Sequence, residues 1–119
     1  ESVGKKARAL GAICEAMEAR VAVHNVRAEH LLDDFRFHSA IGRAVGPLWK
    51  FCTWFQPHWA SISRLLLIKG PNWPAERGEA RHRGLMANLQ MRRLESYATP
   101  GADGESVILQ IWPVGREPI

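Results

Sequence analysis

One short run of sequence limits the fold more than any other feature: the nine residues from Phe37 to Val45, followed at once by Gly46 and Pro47. A short, mostly apolar run bounded by turn residues predicts a parallel strand that is covered on both faces. Pro47 has the backbone geometry of the first turn of a following helix. Arg43 then lies at the carboxyl end of the strand, the edge at which ligands bind in open α/β sheets.

A second run of the same kind ends at Lys69-Gly70-Pro71 and predicts another strand that is buried on both faces. The β-branched residues of 21–26 predict a short strand, with a loop or single turn over 27–32. Two strands near the end of the chain are joined by a short loop, which predicts an antiparallel pair, and Leu94 breaks the alternation of the first. The predicted helices cover Val3 to Arg20, Gly46 to Trp59 and Pro74 to Met86, and the predicted last strands cover Leu89 to Ala98 and Ser106 to Trp112.

Two of the predicted helices carry an apolar stripe that we expect to be buried. In the first helix the stripe consists of Val3, Leu10, Ile13, Cys14, Met17 and Val21, and in the second of Val45, Leu48, Trp49, Cys52 and Phe55. Alternation of strands with helices predicts the α/β class, with a parallel core and an antiparallel end. At 119 residues the chain is one domain or part of one.

Composition narrows the class of partner and compartment. The net charge of +4 is a mild basic excess, which is compatible with a nucleic-acid partner. No apolar run approaches the roughly 20 residues that span a bilayer, and no signal peptide opens the chain, so no membrane partner is expected. Cys14 and Cys52 have no disulfide or metal spacing, which favours a reducing, cytoplasmic setting.

Three charged residues near predicted strand ends are candidates for function, and each has a simpler alternative. Arg43 is a candidate ligand-binding residue, or else a surface arginine paired with Asp33 or Asp34. Glu29 could accept hydrogen bonds from the amine or hydroxyl of a ligand, or it could be an acid in the first turn of a helix. Lys69 could hold RNA phosphate or substrate, or simply precede a turn that ends the strand.

Other chemistries have little support in the sequence. No two histidines lie at i,i+4 with an acid between them, so no metal site is expected. Neither cysteine has the local motif of a nucleophile, and no glycine-rich phosphate loop is present. We expect the three tryptophans of the second helix to lie in the core rather than to form a base-stacking platform.

Five segments in order along about 110 residues carry a resemblance to a known family. They are Glu1-Ser2-Val3-Gly4-Lys5-Lys6, Asn25-Val26-Arg27-Ala28-Glu29, Arg43-Ala44-Val45-Gly46-Pro47-Leu48, Leu67-Ile68-Lys69-Gly70 and Pro100-Gly101-Ala102-Asp103-Gly104-Glu105. Together they resemble the bacterial 16S rRNA guanine-N7 methyltransferases, the family once named for glucose-inhibited division.

The resemblance implies a Rossmann-like class I methyltransferase fold that binds S-adenosylmethionine: a mostly parallel sheet with an antiparallel C-terminal hairpin. Ala28 and Glu29 would line the adenosine pocket, and Glu1 would take the position of the acid that bonds the ribose hydroxyls. Arg43 would lie at the cofactor and catalytic face, with Lys69 as a second catalytic candidate. The family's glycine-rich cofactor loop and first strand lie upstream of the acid, so residues 1–119 would be the carboxyl two-thirds of the domain.

The implied activity is methyl transfer to guanine N7 of small-subunit ribosomal RNA, with that RNA or the small ribosomal subunit as partner and a monomeric protein. Two alternatives stay open. One is a methyltransferase of the same fold with another substrate, because a fold does not fix a function. The other is a truncated, non-catalytic RNA-binding remnant.

Overall fold

The computed structural model describes residues 1–43 and 46–116, and the chain divides into two compact units, Glu1–Phe35 and Arg36–Ile119. The predictions that the first strand runs on to Val45, and that Val45 belongs to the buried stripe of the second helix, therefore fall partly on residues outside the described ones. None of the helices in the described residues is long and apolar enough to cross a membrane.

The unit Glu1–Phe35 contains two helices, α1 over Gly4–Ala16 and α2 over Ala28–Asp34. The predicted helix is confirmed, although it ends four residues early. The strand predicted for residues 21–26 is wrong, because these residues form no strand, and residues 28–32 are helical rather than a loop. β-Branched residues favour a strand only when a neighbouring strand is available to pair with, and none pairs here.

The apolar stripe of α1 is not buried as predicted. The large side chains of the stripe at positions 3, 10, 13, 17 and 21 are 44–72% exposed, and Ala7 is the buried residue of the helix. Helical spacing of apolar residues therefore predicted the helix correctly but not the burial of its apolar side. Periodicity describes which side chains share a face, and burial depends on the surface that the face meets.

The unit Arg36–Ile119 contains the sheet, and its elements follow the predicted order. The strands are β1 over Phe37–Arg43, β2 over Ile62–Lys69, β3 over Leu89–Ala98 and β4 over Glu105–Pro113, and the helices are α3 over Leu48–Phe55 and α4 over Trp73–His82. Proline lacks the N–H that an α-helix needs, and at Pro57 α3 gives way to a 3₁₀ turn over Gln56–His58. Gly84 follows α4 with a positive φ of 74°, a conformation that suits glycine just beyond a helix end.

The four strands form one sheet in the order β1-β2-β4-β3. β1 pairs with β2 in parallel, and β4 pairs antiparallel with both β2 and β3. It follows that β1, β2 and β3 all point the same way and that β4 alone runs against them. The C-terminal hairpin is confirmed as antiparallel.

The prediction that β1 is buried on both faces is wrong. β1 is an edge strand of this sheet, and Ile41 is 71% exposed. Only one face of β1 is covered, the face on which Gly42 lies. The apolar run in the sequence does not distinguish one covered face from two. By contrast β2 is an inner strand, and from Leu65 to Lys69 every second residue is buried. The residues between them are only half-buried, so the prediction of burial on both faces holds for one face.

The core lies between one face of the sheet and the helices α3 and α4. Leu48, Phe51, Cys52 and Phe55 of α3 are buried, so the predicted stripe is largely correct, with Phe51 in place of the half-buried Trp49. The helix tryptophans are half-buried rather than in the core. The buried residues of the facing strands include Leu65 and Leu67 of β2 and Leu109 and Ile111 of β4.

A β-bulge interrupts β3 where the sequence predicted a break in alternation. The pairing of β3 with β4 shifts register between Arg93 and Glu95, which leaves Leu94 as the extra residue. Arg93 therefore pairs with Leu109, and Glu95 pairs with Ile108.

Helix α3 packs closely on β1 at Gly42. A Cβ atom at this position would lie 3.0 Å from Cε1 of Phe51 and 3.2 Å from Cδ2 of Leu67. The missing side chain is thus what lets the Phe51 ring rest on β1.

We predict that Gly42→Ala lowers the free energy of unfolding by about 1–3 kcal/mol, because the added methyl group overpacks this contact. The matched control is Gly78→Ala in α4, where a Cβ would meet nothing within 4 Å. That change should be neutral or stabilise by up to ~1 kcal/mol through helix propensity. Denaturant unfolding of the two variants measures both effects, and equal stabilities would contradict the packing account.

Cys52 is buried in the core between the sheet and the two helices. Its side chain is 3% exposed, and its Sγ donates a hydrogen bond of 3.6 Å to Sδ of Met86. Burial raises the pKa of the Cys52 thiol to about 11.

We predict that iodoacetamide at about pH 8 modifies native Cys14 quickly and Cys52 only after unfolding. The reagent reacts with the thiolate, and a pKa near 11 leaves roughly one thousandth of Cys52 in that form. Mass spectrometry of the variants Cys14→Ser and Cys52→Ala separates the two thiols. Fast labelling of folded Cys14→Ser would contradict the prediction.

Candidate functional site

The carboxyl ends of β1 and β2 form the edge at which two predicted site residues lie. The strands are parallel, and Arg43 is in register with Ile68, so Lys69 is one residue beyond Arg43 along the same edge. The loop between β3 and β4 reaches this edge as well, because a Cβ at Gly104 would lie 2.9 Å from Cγ of Pro71. Ligand sites of open α/β sheets form at such an edge.

Arg43 and Lys69 project from opposite faces of the sheet. Arg43 shares a face with its partner Ile68, and side chains alternate along a strand, so Lys69 faces the other way, toward α3. Arg43 is exposed, and within the unit Arg36–Ile119 no described group lies within hydrogen-bond or ion-pair distance of its guanidinium. The guanidinium is therefore available to a ligand at the edge.

Lys69 is buried and bonded, with 9% of its surface exposed. Its Nζ donates to the carbonyl oxygen of Gly46 and lies 2.9 Å from Oε1 of Glu76. The same ammonium lies 5.5 Å from the centroid of the Phe51 ring. A lysine of this kind fixes the atoms around it, and it is not a free cation for substrate.

Glu76 is the residue of this edge that the sequence analysis missed. It stands in the first turn of α4, pairs with Lys69, and accepts a hydrogen bond of 2.9 Å from the backbone N–H of Leu48. Leu48 is the first residue of α3, whose N-terminus has no side-chain cap of its own. Glu76 therefore caps α3 from a different helix and, through Lys69, holds Gly46 as well.

A signal for this pair does exist in the sequence. Leu65, Leu67 and Lys69 occupy alternate positions of β2, so they share a face that the two leucines mark as buried. A buried ammonium needs a partner, which requires an acid nearby in space. The sequence does not say which acid, because Glu76 lies seven residues along the chain, beyond a turn.

The other three predicted site residues belong to the unit Glu1–Phe35. Oε1 of Glu1 accepts a hydrogen bond of 3.0 Å from the backbone N–H of Val3, and the Glu1 nitrogen donates to the carbonyl of His24 at 3.1 Å. The start of the chain and the segment at His24 are thus adjacent, although 23 residues separate them.

Ala28 and Glu29 open α2. Ala28 is exposed, and Oε2 of Glu29 pairs with Nε of Arg27 at 3.0 Å. Glu29 is an acid in a first helical turn, as its simpler alternative proposed. Its role toward an adenosine, like that of Ala28, stays a prediction.

Among residues 1–43 and 46–116, no group of three or more His, Cys, Asp and Glu side chains is close enough to hold a metal ion. The edge of the sheet offers the exposed guanidinium of Arg43 and the fixed backbone of Gly46. It can orient an anionic or planar ligand, and none of its groups has the surroundings of a strong nucleophile.

Sequence comparison identifies relatives of the chain. The ribosomal RNA small subunit methyltransferase G of Rhodopirellula baltica is 50% identical over 97 residues, which are 82% of this chain and 42% of that protein. The chain is therefore similar to this methyltransferase over most of its own length. The methyltransferase G of Solibacter usitatus is 34% identical over 112 residues, 93% of this chain and 53% of that protein. The chain thus spans about half the length of the curated relatives it matches.

Similarity to two proteins named ribosomal RNA small subunit methyltransferase G confirms the resemblance drawn from the five sequence segments. No protein-family model matches the chain. Among solved structures, a co-crystal structure of WbdD and the kinase inhibitor LY294002 is similar, with a TM-score of 0.59 over 100% of this chain and 31% of that chain. At 14% sequence identity this similarity shows a shared fold alone.

We predict that Glu76→Ala lowers the free energy of unfolding by about 3 kcal/mol, because it leaves the Lys69 ammonium buried without its partner. Glu79→Ala is the matched control on the same helix: its pair with Arg83 is 46% exposed on the glutamate side and should contribute below ~0.5 kcal/mol. Glu76→Gln, which keeps a hydrogen-bond acceptor, should fall between the two. Similar losses for both alanine variants would contradict the account.

Proposed function

We propose that this chain is part of an S-adenosylmethionine-dependent methyltransferase that acts on guanine N7 of small-subunit ribosomal RNA. The observation that carries the proposal is the 50% identity to a protein named ribosomal RNA small subunit methyltransferase G. Because the chain spans about half the length of its relatives, the activity is proposed for the full-length gene product that carries these residues. Residues 1–119 would form part of its methyltransferase domain.

The sheet supports the proposal of a Rossmann-like class I fold. Three strands point one way, the last strand runs against them, and the carboxyl ends of β1, β2 and β3 lie at a common edge. In such folds that edge holds the cofactor and the substrate. We further propose a monomeric protein of the cytoplasm, where its ribosomal RNA partner is found.

The residues proposed to hold S-adenosylmethionine fit its groups in chemistry. One carboxylate oxygen of Glu1 is fixed by the N–H of Val3, and no described group of residues 1–35 donates to the other, which leaves an acceptor for the two ribose hydroxyls. Ala28 and Glu29 would line the adenosine pocket, with Glu29 held by Arg27. Arg43 offers five N–H donors at the edge.

The reaction needs positioning more than acid–base chemistry. Bound S-adenosylmethionine supplies a methyl group on a sulfonium sulfur, which keeps the electron pair of the broken bond. Guanine N7 has an in-plane lone pair and gives up no proton, so the chain has no general base to supply. Its task is to hold N7 in line with the methyl group at about 3–3.5 Å.

Within this proposal Arg43 contacts the substrate directly, whereas Lys69 acts by holding neighbouring groups in place. Arg43, exposed at the strand end, would hold the base or a phosphate of the RNA. The Lys69 ammonium, bonded to Gly46 and Glu76, would keep Gly46 and the start of α4 in one position. Lys69 would thus be a positioning residue in the proposed site.

We predict that Arg43→Ala lowers methyl transfer at least tenfold while the protein stays folded, because the substrate loses its orienting donors. The control is Arg36→Ala, an exposed arginine at the opposite end of β1, which should leave turnover unchanged. Incorporation of labelled methyl groups into unmodified small-subunit ribosomal RNA measures both variants. Near-normal methylation by Arg43→Ala would end the role proposed for this residue.

A further inference from the structure

The basic charge of the chain is concentrated in the unit that contains the sheet. Residues 36–119 contain eleven of the sixteen Lys and Arg residues but only six of the twelve Asp and Glu residues. Helix α4 carries two acids, and both are engaged: Glu76 pairs with Lys69 and Glu79 pairs with Arg83. Its other two arginines, Arg77 and Arg81, have no acidic partner among the described residues.

These two arginines line a cavity of about 280 Å³ between α4 and β3. No carboxylate of the described residues lines it. Its lining combines two guanidinium groups with apolar side chains, a combination that suits a phosphodiester with a base or sugar beside it. The lining residues include Arg77 and Arg81 of α4, Gly84 and Ala87 of the following turn, and Leu89 and Met91 of β3.

The placement of the two guanidinium groups favours an anionic occupant. Arg77 and Arg81 are four residues apart on one face of a helix, where like charges destabilise each other. Arg77 stacks on Trp73, with 4.9 Å between its Cζ and the ring centroid, so its position is restrained. A bound anion would relieve the repulsion between the two groups.

The cavity lies away from the edge that holds Arg43 and Lys69. Met91 pairs with Ile111, which pairs with Leu65. Leu65 precedes Lys69 by four residues of β2, about 13 Å along the strand. An extended polynucleotide could contact both places, whereas a single nucleotide bound at the edge would not fill both.

We propose that the surface formed by Arg77, Arg81 and this cavity, which we call the α4–β3 basic surface, binds the phosphate backbone of the RNA substrate away from the reacting base. The inference rests on the proposed function and deepens it. The surface would distinguish an RNA strand from a free nucleotide, and it would contribute affinity that falls as salt rises.

The test compares two double variants of the full-length gene product by fluorescence anisotropy with a labelled single strand of small-subunit ribosomal RNA. The first is Arg77→Gln with Arg81→Gln. The second removes the same charge elsewhere, through Arg36→Gln with Arg92→Gln. Arg36 and Arg92 are exposed, neither lines the cavity, and Arg92 also stacks on a tryptophan, Trp112.

We expect the first variant to bind the RNA about tenfold or more weakly at about 50 mM salt and to lower the slope of log affinity against log salt by about 1.4. The control variant should lose much less of both. Equal losses in the two variants would overturn the inference, as would displacement of the RNA by guanosine monophosphate at the same phosphate concentration. Absence of RNA binding by the unaltered protein would overturn it too.

Methyl transfer by the unaltered protein is measured in the same series, so the inference and the proposed function can fail separately. A protein that methylates ribosomal RNA but keeps full affinity without Arg77 and Arg81 overturns the basic surface alone. A protein that binds RNA through this surface and transfers no methyl group supports the surface and overturns the proposed enzyme.

Discussion

The buried ion pair between Lys69 and Glu76 is the interaction on which this edge of the sheet depends. It joins the end of β2 to the first turn of α4, and through Gly46 and Leu48 it also fixes the start of α3. A buried ammonium is tolerated only when its N–H donors are hydrogen-bonded. Loss of the pair therefore removes the contacts that hold the end of β2 to the starts of α3 and α4. Gly46 takes its position from that pair.

Gly42 also fixes the position of α3, through the ring of Phe51. The Lys69–Glu76 pair holds the beginning of α3, and the absence of a side chain at Gly42 lets the Phe51 ring pack against β1 in the space that a Cβ would fill. The ring of Phe51 also lies near the Lys69 ammonium. Packing, charge and backbone geometry therefore act on one helix, and that helix begins five residues after the proposed substrate-binding arginine.

A structural feature of this chain could be predicted from the sequence when the interactions that determine it are local. The strand that ends at Lys69, the helices after Pro47 and before Gly84, and the break at Leu94 were predictable, because apolar runs and turn residues record them within a few positions. Residues 21–26 were mistaken for a strand, since propensity alone supplies no pairing partner. Glu76 was missed because its partners, Lys69 and Leu48, lie seven and 28 residues away.

The bulge in β3 has an electrostatic consequence. In a regular strand Arg93 and Glu95 would share a face, and each would offset the other's charge. The extra residue at Leu94 sends them to opposite faces, so Arg93 stays on the side of Met91 while Glu95 turns to the other side. One additional residue thus sorts the charges of this strand, and it keeps a carboxylate off the side of the sheet on which Arg77 and Arg81 stand.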